Sequence, residues 1–238
     1  MMPPHKSTLV QWGTGGTALS EVQVVVIAKE PLAGTVKTRL CPPLTSSEAA
    51  SVAAAALADT LQVVGGSQCR APVVAFEGES DGWVPGGFVV VPQRRGGFGE
   101  RLAGAIDDAW ERMGCPVLLV GMDTPQVTVS DLELAAAALL SPGSDAVLGP
   151  ADDGGYWLIG VHQPEPGMFA DVPMSTDHTA SDQLRRLETL GLVCRVIHAL
   201  RDVDTISDAH AVAKLVPNSS FAASLRACAH SSAELNPA

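Results

Sequence analysis

The sequence predicts an α/β fold in which a mostly parallel central sheet lies between two layers of helices, a three-layer α/β/α sandwich. Three observations predict it. Strand-like runs alternate with helical segments, the strand-like runs are continuously apolar, and 46% of the residues are hydrophobic. In such sheets, ligands bind outside the carboxyl ends of the strands. The polar residues that follow each strand are therefore the first candidates for a functional site.

The first predicted strand is the apolar, β-branched run 22–28. Further apolar runs predict strands at 72–76, 88–91, 116–120, 145–148, 156–161 and 193–197. Two capping boxes, Thr45–Glu48 and Ser130–Glu133, each mark the start of a helix. Helical periodicity and end signals predict the remaining helices at 99–113, 179–190 and 205–215.

The chain divides into one domain with two short flanking segments. Residues 1–21 are rich in Pro, Gly, Ser and Thr and are predicted to be a disordered extension. Residues 22–217 form the predicted domain, and 218–238 form a Ser- and Ala-rich C-terminal tail that is partly helical or loose.

Composition narrows the range of functions. The net charge of −11, from 15 basic and 26 acidic residues, argues against nucleic acid as a partner, because phosphate backbones require clustered Lys and Arg. The five cysteines form no C-x-x-C pair, which favours reduced thiols in a cytoplasmic protein. No apolar run reaches the roughly 18 residues of a transmembrane helix. The N-terminus lacks the apolar region of a signal peptide.

A cationic segment, A-K-E-P-L-A-G-T-V-K-T-R-L, follows the first predicted strand. It carries Lys29, Lys37 and Arg39, and Gly34 allows a tight turn. Cations and backbone N–H groups in such a loop suit a polyphosphate. A solvated basic loop is the alternative interpretation.

Carboxylates follow three of the later strands. Asp123 lies in G-M-D-T-P directly after the strand 116–120, where it could hold Mg²⁺, although Asp also commonly caps turns. Asp153 lies in D-D-G-G-Y, which is also a strong hairpin-turn signal. Asp202 and Asp204 lie in D-V-D-T before the last predicted helix, where they face either a metal or the helix dipole.

In their order, these motifs resemble the radical-SAM/selenodomain-associated transferases, which are relatives of 2-phospho-lactate guanylyltransferase and, more distantly, of molybdenum-cofactor guanylyltransferase. The resemblance covers about Val24 to Leu215 and rests on G-T-V-K-T-R-L, G-F-G-E-R-L, G-M-D-T-P, L-G-P-A-D-D-G-G-Y-W-L-I-G and D-V-D-T. It implies the nucleotide-diphospho-sugar transferase fold, which is GT-A-like and Rossmann-like.

The resemblance also implies roles for individual residues. The implied catalytic residues are Lys37, Arg39 and Asp123. Nucleotide and phosphate binding is implied for Ala28, Lys29, Gly34, Lys37, Thr38, Arg39, Gly99, Glu100 and Arg101. The acceptor side is implied to include Asp153, Gly154, Gly155 and Tyr156. A divalent ion, Mg²⁺ or Mn²⁺, is implied on Asp123, Asp204 and Asp202. The sequence departs from the family at Phe98, where an Asp is expected, and at Met174-Ser175-Thr176, where Trp-Ser-Thr is expected.

These roles imply a metal-dependent nucleotidyltransferase that moves a nucleotidyl group from a nucleoside triphosphate to a small phosphorylated or hydroxyl acceptor. One alternative is a GT-A-type glycosyltransferase that uses a nucleotide-diphospho-sugar. Another is a nucleotide-binding regulatory domain without turnover. The expected partners are the nucleotide and the small-molecule acceptor, and a homodimer is left open.

Overall fold

The computed structural model describes residues 17–234. One seven-stranded sheet forms the centre of the fold, with its strands in the order β3-β2-β1-β4-β6-β5-β7. The strands are β1 Gln23–Lys29, β2 Val73–Glu77, β3 Val89–Pro92, β4 Val117–Gly121, β5 Ala146–Pro150, β6 Tyr156–Val161 and β7 Cys194–Val196. Only β6 runs antiparallel to its neighbours among these strands.

The described residues contain six α-helices. They are α1 Ser46–Gly66, α2 Phe98–Met113, α3 Val129–Leu139, α4 Thr179–Thr189, α5 Ile206–Leu215 and α6 Ser220–Glu234. Helices α1 and α3 pack on one face of the sheet, and α2 and α4 pack on the other. The predicted three-layer α/β/α architecture is confirmed.

Burial of both sheet faces explains why the central strands are continuously apolar. In β1, Val24 and Val26 pack towards α1 and α3, whereas Val25 and Ile27 pack towards α2 and α4. Because successive side chains of a strand point to opposite faces, a strand covered on both sides has apolar residues at successive positions.

The start of α3 differs from the prediction. Ser130 and Glu133 do not form its capping box; Thr128 and Asp131 do, two residues earlier. The Thr128 hydroxyl accepts the Asp131 N–H at 3.2 Å, and the Asp131 carboxylate accepts the Thr128 N–H at 2.8 Å. Glu133 instead accepts the N–H of Leu19 at 3.1 Å.

Both flanking segments contain ordered structure. Residues Ala18–Glu21, predicted as part of the extension, form a 3₁₀ helix whose Leu19 is fully buried. In the predicted tail, Phe221 and Leu225 of α6 are buried in a cluster shared with α1 and α5. The prediction that α5 is the last helix is therefore wrong, because α6 follows it. Residues 1–16 of the extension and 235–238 of the tail lie outside the described residues.

Within residues 17–234, one helix, α1, is long and apolar enough to cross a membrane, although no membrane-length apolar run was expected. Half of it is buried inside the protein. Helices of a protein core meet the same criterion, so α1 is weak evidence for membrane insertion.

A buried carboxylate attaches α6 to the domain. Asp59, on α1 and 8% exposed, accepts the backbone N–H of Ser220 at 3.0 Å and that of Phe221 at 2.8 Å. The first N–H groups of a helix have no partner within the helix, and a negative charge also favours that end of the helix dipole. Asp59 therefore caps α6 from another helix.

We expect Asp59→Ala to lower the free energy of unfolding by about 1–3 kcal/mol, because it leaves buried donors without an acceptor. Denaturant unfolding of the full chain measures this loss. Asp59→Asn is the matched control, because it keeps one oxygen acceptor and should lose less. A loss for Asp59→Ala within the roughly 0.5 kcal/mol of an ordinary surface substitution would contradict the capping role.

Candidate functional site

A cleft of about 640 Å³ opens at the carboxyl ends of β1, β2 and β4. Its other walls are the β5–β6 hairpin, residues 174–179 and residues 202–208. A smaller cavity of about 260 Å³ lies under the basic loop and shares Lys29, Arg39, Asp123 and Asp204 with the cleft. This is the edge of the sheet at which the sequence predicted a ligand.

Backbone hydrogen bonds bring three distant segments to this edge. Val203 donates its N–H to the carbonyl oxygen of Asp123 at 3.0 Å, which joins the end of β4 to the segment before α5. Asp152 donates its N–H to the Leu200 carbonyl at 3.0 Å, which joins the β5–β6 hairpin to the same segment. The side-chain amide of Gln126 also donates a hydrogen bond to the backbone carbonyl of Arg201. The carboxylates of these segments are therefore held close together.

The basic loop directs one lysine inwards. Lys37 adopts the left-handed conformation, with φ 47° and ψ 37°, just before the short 3₁₀ helix Thr38–Leu40. Its Nζ lies 3.0 Å from Asp123 Oδ1 and 3.3 Å from Asp204 Oδ1, and its side chain is only 8% exposed. Burial opposes the charged form, but attraction from the two carboxylates outweighs it and raises the pKa of Lys37.

Arg39 provides a second, exposed cation in the same loop. Its Nη1 lies 2.9 Å from Asp204 Oδ2, and its side chain is 72% exposed. Asp204 therefore contacts two cations, whereas Asp123 contacts Lys37 alone among the described residues.

Three carboxylates form a cluster beside these ion pairs. One oxygen from each of Asp153, Asp202 and Asp204 lies within 4.8 Å of the others. Burial, followed by repulsion from Asp153 and Asp204, raises the pKa of Asp202 to about 7. Among residues 17–234, no hydrogen bond or ion pair reaches the Asp202 carboxylate. Oxygen ligands of this kind are those that Mg²⁺ and Mn²⁺ prefer, so the cluster fits a divalent ion.

The position of Asp123 differs from that of the other two predicted metal ligands. Asp202 and Asp204 belong to the cluster, and Asp123 reaches Asp204 through Lys37. The third member of the cluster is Asp153, which was predicted on the acceptor side. The hairpin is hydrogen bonded to Leu200, two residues before D-V-D-T, and Asp153 lies close to Asp202 and Asp204.

The predicted nucleotide-binding residues are only partly brought together. The cleft or the adjoining cavity is lined by Ala28, Lys29, Lys37, Thr38, Arg39 and Arg101. Gly34, Gly99 and Glu100 do not line either one. Glu100 instead accepts the Gly97 N–H at 2.7 Å and caps α2, and Gly99 faces Phe169 and Met174.

The acceptor-side motif is both a hairpin turn and a wall of the cleft. Asp153, Gly155 and Tyr156 line the cleft, whereas Gly154 does not. Gly154 has φ +91°, and a Cβ there would lie 1.9 Å from the backbone oxygen of Asp177. Only glycine fits this close approach, so Gly154 has a structural role.

The sequence interpretation missed several residues that line the cleft. Glu77 ends β2 and pairs with Arg101 at 2.6 Å. Gln93 follows β3 and donates its amide N–H groups to Ala28 O at 2.7 Å and Ala75 O at 3.0 Å, while its Oε1 has no partner in the described part of the chain. Both residues lie directly at strand ends, so the strand-end rule could have identified them.

Solved structures confirm the fold class that the sequence predicted. A crystal structure from Desulfovibrio desulfuricans G20, named provisionally as a nucleotide-diphospho-sugar transferase, is 26% identical with a TM-score of 0.79. The match covers 87% of this chain and 94% of that one. The expectation of a transferase agrees with the name of that protein.

More distant structures share the fold alone. CMP:2-keto-3-deoxy-manno-octonic acid synthetase complexed with CTP is 14% identical, with a TM-score of 0.53, over 83% of this chain and 99% of that one. 4-Diphosphocytidyl-2C-methyl-D-erythritol synthase from Anaerococcus prevotii DSM 20548 is 10% identical, with a TM-score of 0.53, over 84% and 99%.

The sequence comparison with protein families gives one match. No protein of curated function matches the chain. A family model described as "Uncharacterized protein conserved in bacteria (DUF2064)" matches residues 49–176, which is more than half of the chain. This range includes α2, β4 with Asp123, and the β5–β6 hairpin. The chain therefore belongs to the DUF2064 family of bacterial proteins.

Proposed function

We propose that this protein is a metal-dependent nucleotidyltransferase that transfers a nucleotidyl group from a nucleoside triphosphate to a small acceptor. The observation that carries the proposal is the meeting of a cationic loop and a carboxylate cluster in one cleft at the carboxyl end of the sheet. Cations suit the phosphates, and carboxylates suit the divalent ion that accompanies them.

The donor set favours a cation site centred on Asp204. Asp202 and Asp153 complete the cluster, and Asp123 faces it across the Lys37 ammonium. Mg²⁺ or Mn²⁺ bound there would neutralise charge on the phosphates and orient them for substitution at phosphorus. Mg²⁺ usually takes only one or two protein carboxylates and completes its coordination with phosphates and water.

The residues of the chain itself have separate tasks in this proposal. Arg39, exposed at the cleft, binds the terminal phosphates, and Lys37 supports the carboxylates from below. The acceptor oxygen forms a bond to the α-phosphorus, the bond from that phosphorus to the bridging oxygen breaks, and pyrophosphate leaves. A hydroxyl acceptor gives its proton to a carboxylate of the cleft. Fixed cations near the leaving pyrophosphate stabilise its developing charge.

Glycosyl transfer is the second candidate, and the name of the D. desulfuricans protein favours it. The basic loop favours nucleotidyl transfer instead, because its cations suit a third phosphate that a nucleotide-diphospho-sugar lacks. The closer relation to the selenodomain-associated transferases and the guanylyltransferases is part of this proposal, as is a cytoplasmic location.

The first prediction of this proposal concerns the metal site. We expect Asp204→Asn to lower Mg²⁺-dependent triphosphate affinity by more than about tenfold, because even the outer partners of metal ligands are worth about 10–100-fold. Calorimetry with and without Mg²⁺ measures it. Asp81→Asn, an exposed position outside the cleft, is the matched control. Equal Mg²⁺ dependence in wild type and Asp204→Asn would remove Asp204 from the site.

The same titration on Asp123→Asn tests the predicted role of Asp123. A loss as large as that of Asp204→Asn supports its role as a metal ligand. Unchanged Mg²⁺ dependence would show that Asp123 serves only as the ion-pair partner of Lys37.

A second prediction concerns the exposed cation of the basic loop. We expect Arg39→Ala to weaken triphosphate binding by up to about fivefold, the effect of an exposed charge pair worth about 0.2–1 kcal/mol, and to reduce its salt dependence. Binding of the matching nucleoside should not change. Arg94→Ala is the control, because Arg94 is also an exposed, ion-paired arginine but lies outside the cleft. If both variants keep the wild-type salt dependence, Arg39 does not bind phosphate.

A third prediction separates the two enzyme classes. We expect a nucleoside triphosphate with Mg²⁺ to raise the melting temperature more than any nucleotide sugar does, because the cations of the basic loop suit its third phosphate. A ligand at one hundred times its Kd stabilises a folded protein by about 2.7 kcal/mol, so the ligand that binds more tightly gives the larger shift at equal concentration. A thermal-shift screen of triphosphates and diphosphate sugars, followed by pyrophosphate detection, measures both parts. Preferential stabilisation by a nucleotide sugar, with a nucleoside diphosphate as product, would favour glycosyl transfer.

A further inference from the structure

We propose that the acceptor is an uncharged or cationic hydroxyl compound, and not a phosphorylated or carboxylated one. This inference rests on the proposed function, and it names the acceptor class that the function leaves open. It concerns the acceptor half of the cleft, defined as the cleft-lining residues within 151–157, 174–179 and 202–208.

The charges that line the acceptor half have one sign. It contains five carboxylates and no Lys, Arg or His among the described residues. The carboxylates are those of Asp153, Asp177, Asp202, Asp204 and Asp208. The cations that line the cleft are Lys29, Arg39 and Arg101, and of these Arg39 contacts the acceptor half through Asp204.

Ion pairs neutralise only part of this charge. Asp204 pairs with Lys37 and Arg39, and Arg201 lies 3.7 Å from Asp208. Within residues 17–234, neither Asp153 nor Asp202 has an ion-pair partner.

Asp177, which lines the cleft, adds a further negative charge to the acceptor half. It is 91% exposed, and its partner is the neighbouring His178, which carries no permanent charge. One divalent ion on the cluster offsets part of this charge, Asp177 lies outside the cluster, and a bound triphosphate brings further negative charge into the cleft.

This negative charge discriminates against anions. A cleft lined by one sign of charge concentrates ligands of the opposite sign and repels those of the same sign. Placing like charges together is a common way in which a binding site rejects wrong partners. A phosphate or carboxylate on the acceptor would meet this repulsion, and the cations that contact this half, Lys37, Arg39 and Arg201, are already paired with Asp204 or Asp208.

The hydrogen-bonding groups point to the same class. Carboxylates only accept hydrogen bonds when ionised, so they match hydroxyl or ammonium donors. Among the threonine hydroxyl groups of this half, those of Thr176, Thr179 and Thr205 are hydrogen bonded within the protein, and the exposed Ser175 hydroxyl is the one left to meet a ligand among the described serine and threonine residues. Tyr156 and Met174 supply an apolar surface for a carbon skeleton.

The acceptor class also determines the proton balance. A hydroxyl oxygen forms the new bond to the α-phosphorus and loses its proton, and pyrophosphate leaves with the electron pair of the broken phosphorus–oxygen bond. The acceptor half supplies carboxylates that can take the proton.

Charged thiol reagents can measure the field in this half without knowledge of the acceptor. Ser175 lines the cleft and is exposed, and Ser175→Cys keeps every carboxylate. For each cysteine variant, the measured quantity is the rate with a cationic methanethiosulfonate divided by the rate with an anionic one. We expect this ratio to be at least about tenfold higher at position 175 than at a control site. The control is Ser51→Cys, on the exposed side of α1. Reactions are run in Mg²⁺ at low and high salt and read by mass spectrometry of the labelled peptide.

The outcomes of the labelling experiment are decisive. A cationic preference that exceeds the control and decreases with salt supports the inference. A ratio of cationic to anionic rate at position 175 that is equal to or below the ratio at position 51 overturns it. Because labelling needs no nucleotide, this result stands whether or not the protein turns over triphosphates.

A second measurement uses matched acceptors. With Mg²⁺ and pooled triphosphates, we expect pyrophosphate release with glycerol or choline to exceed that with glycerol phosphate or phosphocholine. Asp177→Lys should move this ratio towards the phosphorylated compounds, whereas Asp81→Lys should not. Turnover that prefers phosphorylated acceptors overturns the inference and keeps the proposed function. Cation-selective labelling without binding of any triphosphate keeps the charge preference and overturns the proposed function.

Discussion

The ion pairs of Lys37 hold the site together. This buried ammonium contacts Asp123 after β4 and Asp204 before α5, so it connects the loop after β1 to two segments that are distant in sequence. Breaking one partner of a buried pair leaves a charge without compensation, which is strongly destabilising. The shape of the cleft therefore depends on the balance between this cation and the surrounding acids. The left-handed backbone of Lys37 is consistent with a residue held in place by these contacts.

The cations of the basic loop compensate only some of the carboxylates of the cleft. Lys37 and Arg39 compensate Asp123 and Asp204, whereas Asp202 and Asp153 have no ion-pair partner in the described structure. Carboxylates held at close distance bind cations, and a divalent ion lets an acidic cleft accept a polyphosphate. The same negative charge repels an anionic acceptor, because a single ion bound at the carboxylate cluster does not neutralise the rest of the acceptor half. In the proposed function, one electrostatic feature thus underlies the metal site, the binding of the donor nucleotide and the charge class of the acceptor.

Much of the fold was predictable, because each strand buried on both faces is a continuous apolar run and most helix ends carry capping signals. The error at α3 arose because two overlapping patterns could cap the helix, and only the structure shows that Glu133 is used by Leu19. The strand-end rule located Asp123, Asp202 and Asp204 in the cleft. It could not show that Asp153 joins the carboxylate cluster, because that depends on hydrogen bonds between the hairpin and residues near Leu200. Glu100 lies outside the lining of the cleft, because its side chain caps α2.

We infer above all that the carboxylate cluster binds a divalent ion beside Asp204, the member of the cluster that also contacts Lys37 and Arg39. Anomalous diffraction from crystals grown with Mn²⁺ tests this most directly, because it locates the ion independently of activity. We expect a peak at a coordination distance of about 2.0–2.4 Å from Asp204, with Asp202 or Asp153 as a second ligand. We also expect the Lys37 ammonium to shift away from Asp204. A cleft without a peak at saturating Mn²⁺, or an ion bound only elsewhere on the protein, would contradict this inference.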